Sequence, residues 1–187
     1  MTGVIMEKWL EKWLPFVAKS PEAQVAWLVR VLRKNILSPA EITPYIRLLL
    51  EPDDLEIKAR IAACLRRLDA GICERLTAAA EIYDLPKLFA MLPAITTEQA
   101  MIALAKVPPP YEKNSAQVQD RLFHAVYNQS PERFSEAVDR LRQHGQAPAG
   151  FDQAHARFLD LLEDEKLLSA LYPKARAKME PDLESLL

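Results

Sequence analysis

Apolar residues recur at intervals of three and four along most of the chain, as they do on one face of an α-helix. Ile57, Ile61, Leu65 and Leu68, for instance, fall on one helical stripe. No segment alternates apolar and polar residues in the manner of a β-strand. The predicted fold class is therefore all-α. The pattern predicts about ten helices, at residues 4–14, 21–36, 39–50, 54–70, 72–82, 85–91, 96–106, 115–128, 131–144 and 152–178, the last of them broken near Glu163 or before Pro173.

Prolines mark where several of these helices begin. The chain has fourteen prolines and only four glycines, and Ser20, Ser38 and Ser130 each stand directly before a proline. A serine hydroxyl caps the free N–H groups of a helix, and proline suits the first helical position because its missing N–H would have no partner there. Thr96 and Asp54 predict two further starts, since acidic residues follow them and the helix dipole favours acids in the first turn.

The length of 187 residues, half of them hydrophobic, suits one domain with a core of its own. We therefore predict a single all-helical domain over residues 1–187. The proline-rich linker 107–114 offers an alternative boundary between two subdomains. A second piece after that linker would hold fewer than about 80 residues, which is small for an independent core.

Charge and composition exclude several classes of function. The 24 basic and 26 acidic side chains leave a net charge of −2, which gives no long-range attraction to nucleic acid or to an anionic membrane. With so few glycines there is no glycine-rich phosphate loop, and we predict no cofactor. Cys64 and Cys73 lack the paired spacing of a zinc or redox site, so we predict no metal and a reducing compartment. No apolar run is long enough to span a membrane and the N-terminus lacks the features of a signal peptide, so the expected location is the cytoplasm.

A faint internal repeat runs along the chain. Residues 16–34, 48–68 and 88–107 align as an apolar helix end, a proline-containing turn and a second helix, and residues 125–143 echo them more weakly. The offset of roughly 32 to 40 residues is typical of proteins built by stacking helix pairs.

The stretch LLLEPDDLEIKARIAACLRRLDAG, residues 48–71, resembles a HEAT repeat, in which leucines end the first helix, an acidic turn follows and the second helix carries small alanines. The chain departs from the family pattern at Ile57 and Lys58, where a valine and an arginine are common, and its other copies lack the acidic turn. The resemblance rests on Leu48, Leu49, Asp53, Asp54, Ile57, Ala59, Ala62, Ala63, Leu65 and Leu68.

That resemblance implies a right-handed stack of antiparallel helix pairs, a HEAT-like α-α superhelix. An irregular helical bundle is the alternative architecture. Because HEAT-like scaffolds share a surface shape and no common chemistry, the resemblance implies a binding surface and no particular reaction.

Tryptophans are the leading candidates for binding a partner. Trp9 and Trp13 share the apolar face of a two-faced helix at the start of the chain. This pair either closes the first end of the helical stack or docks a partner or a second copy, because aromatic side chains anchor many interfaces. Trp27 lies beside Val31, away from the main apolar stripe of its helix. That stripe consists of Val25, Leu28, Val29, Leu32 and Ile36. That helix is either buried on two sides or exposes Trp27 and Val31 as a binding surface.

Basic residues concentrate in two predicted helices. If these helices align in a stack, their arginines line a groove that contacts the phosphates of a nucleic acid. No aromatic residue is interleaved with them for base stacking, which favours an ordinary solvated face. The candidate phosphate-contacting residues of this alternative are Arg30, Arg33, Arg60, Arg66 and Arg67.

The sequence carries no catalytic motif, and its histidines, His124, His144 and His155, are dispersed. We therefore predict a non-enzymatic helical-repeat module for protein–protein interaction, acting as a scaffold, adaptor or chaperone-like protein. Its partner would be another protein or a second copy of the chain. The alternatives are a nucleic-acid-binding helical repeat, which the charge balance disfavours, and a small helical enzyme with an unrecognised site at one of the histidines.

Overall fold

The computed structural model describes residues 14–184, and their side chains through residue 171. Over this range the chain forms one helical turn at residues 14–17 and nine longer helices, without a strand, so the predicted all-α class is confirmed. The helix predicted at residues 4–14 lies outside the described residues, apart from its last position. The nine helices are α1 (Pro21–Lys34), α2 (Pro39–Leu50), α3 (Leu55–Leu65), α4 (Ala70–Ala79), α5 (Leu85–Met91), α6 (Thr97–Leu104), α7 (Ser115–Gln129), α8 (Pro131–Gln143) and α9 (Phe151–Glu184).

The five helix starts marked by the sequence are confirmed. At each start the side-chain oxygen accepts a hydrogen bond from the backbone N–H three residues later, at Ser20, Ser38, Asp54, Thr96 and Ser130. Ser38 and Thr96 add the reciprocal bond of a capping box. Each cap stabilises its helix by about 1 kcal/mol. Because the contact joins residues only three positions apart, these starts can be predicted from the sequence.

The predicted helix at residues 54–70 is wrong at its end, because α3 stops at Leu65. Asp69 begins α4 instead, since its carboxylate accepts a hydrogen bond from the N–H of Ile72 at 3.0 Å. Helix α1 also ends earlier than predicted, at the point where Asn35 adopts a left-handed φ of 50°. Ile36, predicted to lie on the apolar stripe of that helix, is exposed as a result.

The predicted break in the last helix is also wrong, since α9 continues past Glu163 and Pro173 to Glu184. A proline inside a helix removes one backbone hydrogen bond and costs about 3 kcal/mol. The segments on both sides of Pro173 are rich in leucine, alanine, lysine and arginine. These residues are strong helix formers, and they offset the cost of the proline.

Helices α1 to α8 stack as two layers. Helix α1 packs on α3, α3 on α5 and α5 on α7, while α2 packs on α4, α4 on α6 and α6 on α8. The layers contact each other mainly through neighbours in sequence, such as α1 with α2 and α7 with α8. This packing order is the one expected for stacked helix pairs, and the HEAT-like character of the pairs remains a prediction.

Polar side chains from distant helices cap several helix ends. Arg75 on α4 donates to the carbonyl oxygen of Leu32 in the last turn of α1, and Gln129 on α7 donates to that of Phe89 on α5 at 2.6 Å. The ammonium of Lys106 lies within 2.9 Å of three carbonyl oxygens at the end of α4. Many helices are closed by a left-handed glycine, but this chain has only four glycines. Long side chains therefore satisfy carbonyl groups that glycine-based caps satisfy elsewhere.

The chain divides into two compact units, one through Ala149 and the other from Gly150 onward. The proline-rich linker 107–114 lies inside the first unit, between α6 and α7, which pack on each other. In the described part of the second unit, Gly150 is followed by α9, where the ring of His155 stacks on that of Phe151 with centroids 6.2 Å apart. The number of domains remains a prediction.

Candidate partner-binding groove

Of the three tryptophans predicted to bind a partner, only Trp27 lies among the described residues. Trp9 and Trp13 lie outside the described residues. The Trp27 ring is half-buried and forms a cluster with Phe16 and Tyr45, whose ring centroids lie 5.4 and 4.6 Å from it. Val31 is only 3% exposed. The structure thus places Trp27 and Val31 within packing contacts of the chain, as in a helix buried on two sides.

An open groove of about 560 Å³ lies between α1 and the C-terminal end of α3. Val25, Ala26 and Val29 line it from α1, and Cys64 and Leu68 line it from α3 and the turn that follows. Val29, predicted on the buried stripe of its helix, is therefore partly exposed here. The floor of the groove is apolar, which makes it a surface that a partner can cover with a gain in hydrophobic free energy.

Basic side chains surround this floor. Arg30, Arg33 and Lys34 lie at the C-terminal end of α1, and Arg67 follows α3. Glu22 is the one acid among the residues lining this groove. Arg30, Lys34 and Arg67 form no ion pair with any residue from 14 to 171, so their charges face solvent or a ligand.

Two of the predicted arginines, Arg33 and Arg60, form ion pairs, and Arg66 lies outside the groove. Arg60 donates two hydrogen bonds of 2.7 Å to the carboxylate of Glu22, and this contact lowers the pKa of Glu22 to about 2. Arg33 lies 3.2 Å from the carboxylate of Asp69. Arg66 is exposed and does not line the groove. Of the five arginines that the sequence suggested, the structure brings Arg30, Arg33 and Arg67 together.

The sequence pattern predicts Lys34 among the basic residues of this helix, but it does not identify the apolar floor as part of a site, although the spacing that places the two together is present. Positions 25, 26, 29, 30, 33 and 34 follow the three-and-four spacing that places residues on one face of a helix. The same helix carries a second apolar face around Leu28 and Leu32, which is the one buried in the core. Spacing alone does not tell which of the two faces stays open.

The groove combines an apolar floor with a basic rim. Its apolar floor and basic rim suit an amphipathic segment that carries leucine-like residues on one side and carboxylates beside them. No aromatic ring lines it to stack on a nucleobase. The lining residues hold no nucleophile paired with a base, which is the arrangement that nucleophilic catalysis needs.

The two cysteines provide a chemical test of the groove. Cys64 is half-buried in its lining, whereas Cys73 is buried, and burial raises the pKa of the Cys73 thiol to about 11. We expect one thiol per chain to react with the disulfide reagent DTNB at pH 8 in the native protein, and two in urea, because only about 0.1% of a thiol with that pKa is ionised. The Cys64→Ser variant should lose the native reaction. Equal reaction rates of the two native thiols would contradict this assignment.

The histidines occupy three separate settings. His124 is half-buried and lines a second groove of about 510 Å³ between α5 and α7. His144 follows the end of α8 and is exposed. His155 stacks on Phe151 within α9. Among the residues that the structure describes, no group of three or more His, Cys, Asp or Glu side chains is placed to hold a metal ion.

Among the described residues, no helix combines the length and the hydropathy that a membrane-spanning segment needs. No protein-family model matches the sequence, and the comparisons with curated proteins and with solved structures gave no match.

Proposed function

We propose that this chain is a non-enzymatic protein-interaction module built from HEAT-like helix pairs, which acts as a scaffold, adaptor or chaperone-like protein in the cytoplasm. Its partner is an acidic, amphipathic helical segment, and the groove between α1 and α3 is the surface that binds it. The observation that carries this proposal is a partly exposed apolar floor with three cations at its edge, Arg30, Lys34 and Arg67, which form no ion pair with any residue from 14 to 171.

The composition of the groove favours a protein over other partners. Nucleic acid binds chiefly through neutralisation of its phosphates, and the apolar floor would be left uncovered by such a ligand. Two of the arginines proposed to contact phosphate, Arg33 and Arg60, already face Asp69 and Glu22. A helix with leucines and carboxylates covers the floor and neutralises the rim at the same time. Nucleic acid remains the alternative partner, because the remaining cations line one groove.

Binding of a synthetic peptide tests this function. The probe is a fluorescein-labelled helix with leucine on one face and glutamate on the adjoining face. We expect it to bind the protein with a rise in fluorescence anisotropy, and we expect the Arg30→Glu/Arg67→Glu variant to bind it at least about tenfold more weakly, because like charges then meet at the rim. Peptide binding should also slow the reaction of Cys64 with DTNB.

The matched control is Arg133→Glu, which reverses an exposed arginine on α8, outside the groove. This variant should bind the peptide as the wild type does. A labelled oligonucleotide at low salt is the competing probe. Binding of the oligonucleotide that is lost in Arg30→Glu/Arg67→Glu, together with no binding of the peptide, would replace the protein partner with a nucleic acid.

A further inference from the structure

Helix α9 carries an exposed face of leucines and acids. Leu167, Leu168 and Leu171 are each 64% exposed, and Leu159 is 44% exposed. Four large apolar residues in contact with water on a single helix are an unusual exposed patch for a monomeric protein.

Carboxylates share this face with the leucines. Asp160, Glu163 and Asp164 are exposed. Leu167 follows Asp160 by seven residues and Glu163 by four, and Asp164 precedes Leu168 by four residues and Leu171 by seven. Residues spaced in this way lie above one another on one side of a helix. Residues 151–171 hold five acidic and two basic side chains, so this part of α9 is an acidic amphipathic helix.

We propose that the acidic leucine face of α9 in one copy of the chain binds the groove between α1 and α3 in a second copy. This inference rests on the proposed function, and it names the partner of that groove. The groove presents four cations and one acid around an apolar floor, and α9 presents carboxylates next to leucines. The two surfaces are complementary in charge and in hydrophobicity, and every copy of the chain carries both.

The order of apolar and charged residues along the groove is also complementary to their order along α9. In α1 the apolar lining residues Val25, Ala26 and Val29 precede most of the basic ones, so the groove is apolar at one end and cationic at the other. In α9 the exposed acids precede most of the exposed leucines. A helix laid antiparallel to α1 places its acidic turn against the cationic end and its leucine turn against the apolar end.

Such a contact uses different surfaces on the two copies. It is therefore heterologous, and each chain that donates α9 keeps its own groove free for another copy. Assemblies of this kind close as rings or continue as open chains. We expect the average molar mass to rise above that of the monomer as the protein concentration increases.

Light scattering coupled to size exclusion, over a range of protein concentrations, tests this proposal on the full chain. We expect the wild type to associate, and we expect Arg30→Glu/Arg67→Glu and Asp160→Lys/Asp164→Lys each to require at least about tenfold more protein for the same mass. Combining both pairs in one chain restores opposite charges at the contact and should recover association. Arg133→Glu, reversed outside both surfaces, should associate as the wild type does.

The outcomes of the light-scattering and peptide-binding experiments distinguish the contact between copies from the protein-binding function on which it rests. A chain that stays monomeric at every concentration but binds the synthetic acidic peptide overturns the contact between copies and leaves the protein-binding function in place. Association that is unchanged in both charge-reversed variants also overturns it. Failure of the peptide to bind, together with a monomeric chain, would remove both proposals. Circular dichroism of each variant shows that it is folded.

Discussion

Replacing Lys106 with methionine is expected to lower the free energy of unfolding by about 2 to 3 kcal/mol. Its ammonium lies 2.9, 2.7 and 2.6 Å from the carbonyl oxygens of Thr77, Ala78 and Ala80, where α4 ends. The side chain is half-buried, and desolvation lowers its pKa although Glu81 acts in the opposite direction. Methionine keeps most of the side-chain volume but removes all three donors, so the carbonyl groups lose a charged partner.

Urea denaturation followed by circular dichroism measures this loss. Lys87→Met is the matched control, because Lys87 is an exposed lysine on α5. Its effect should stay within about 0.5 kcal/mol, as is usual for surface substitutions. Equal stability of the two variants would mean that the ammonium of Lys106 contributes no more than a surface charge.

Replacing Phe123 with alanine is expected to cost about 3 to 5 kcal/mol, because the substitution opens a large cavity in the core. Phe123 on α7 is fully buried and meets the ring of Phe134 on α8 edge to face, with centroids 5.8 Å apart. The ring of Tyr127, one turn further along α7, packs on the same Phe134 at 5.7 Å. Tyr111→Ala is the control, since that ring is exposed and its removal should change stability little.

Hydrogen exchange of Phe123→Ala also tests the repeat architecture. In a stack of helix pairs each pair contacts only its neighbours, so we expect faster exchange in α5 to α8 and unchanged protection in α1 and α3. A compact irregular bundle that unfolds as one unit would instead lose protection throughout. The second result would contradict the HEAT-like prediction, which rests on the resemblance of residues 48–71.

The two stability predictions concern contacts that the sequence does not reveal. Lys106 caps carbonyl groups 26 to 29 residues earlier in the chain. Arg75 reaches Leu32 and Gln129 reaches Phe89 across 43 and 40 residues. The shortage of glycine indicates that helix ends need other partners, but it does not name the side chains that supply them.

The basic residues of the candidate groove can be predicted in part from the sequence. The concentration of basic residues predicts Arg30, Arg33 and Arg67 as candidates, and the structure places them along one groove. The sequence also grouped Arg60 with Arg67, whereas Arg60 pairs with Glu22 across 38 residues. Helical projection predicts direction from the helix axis only, so it gives no information on which residues of another helix lie in that direction.

The sequence by itself determined the all-α class and the helix starts, because helical periodicity and capping depend on residues within a few positions of one another. The sequence also contains the residues of both faces of α1, the one buried in the core and the one that borders the groove. Only the tertiary structure decided that Leu28 and Val31 are buried while Val29 borders an open groove. That choice depends on which helices pack against α1, and those helices are set by contacts between residues far apart in the chain.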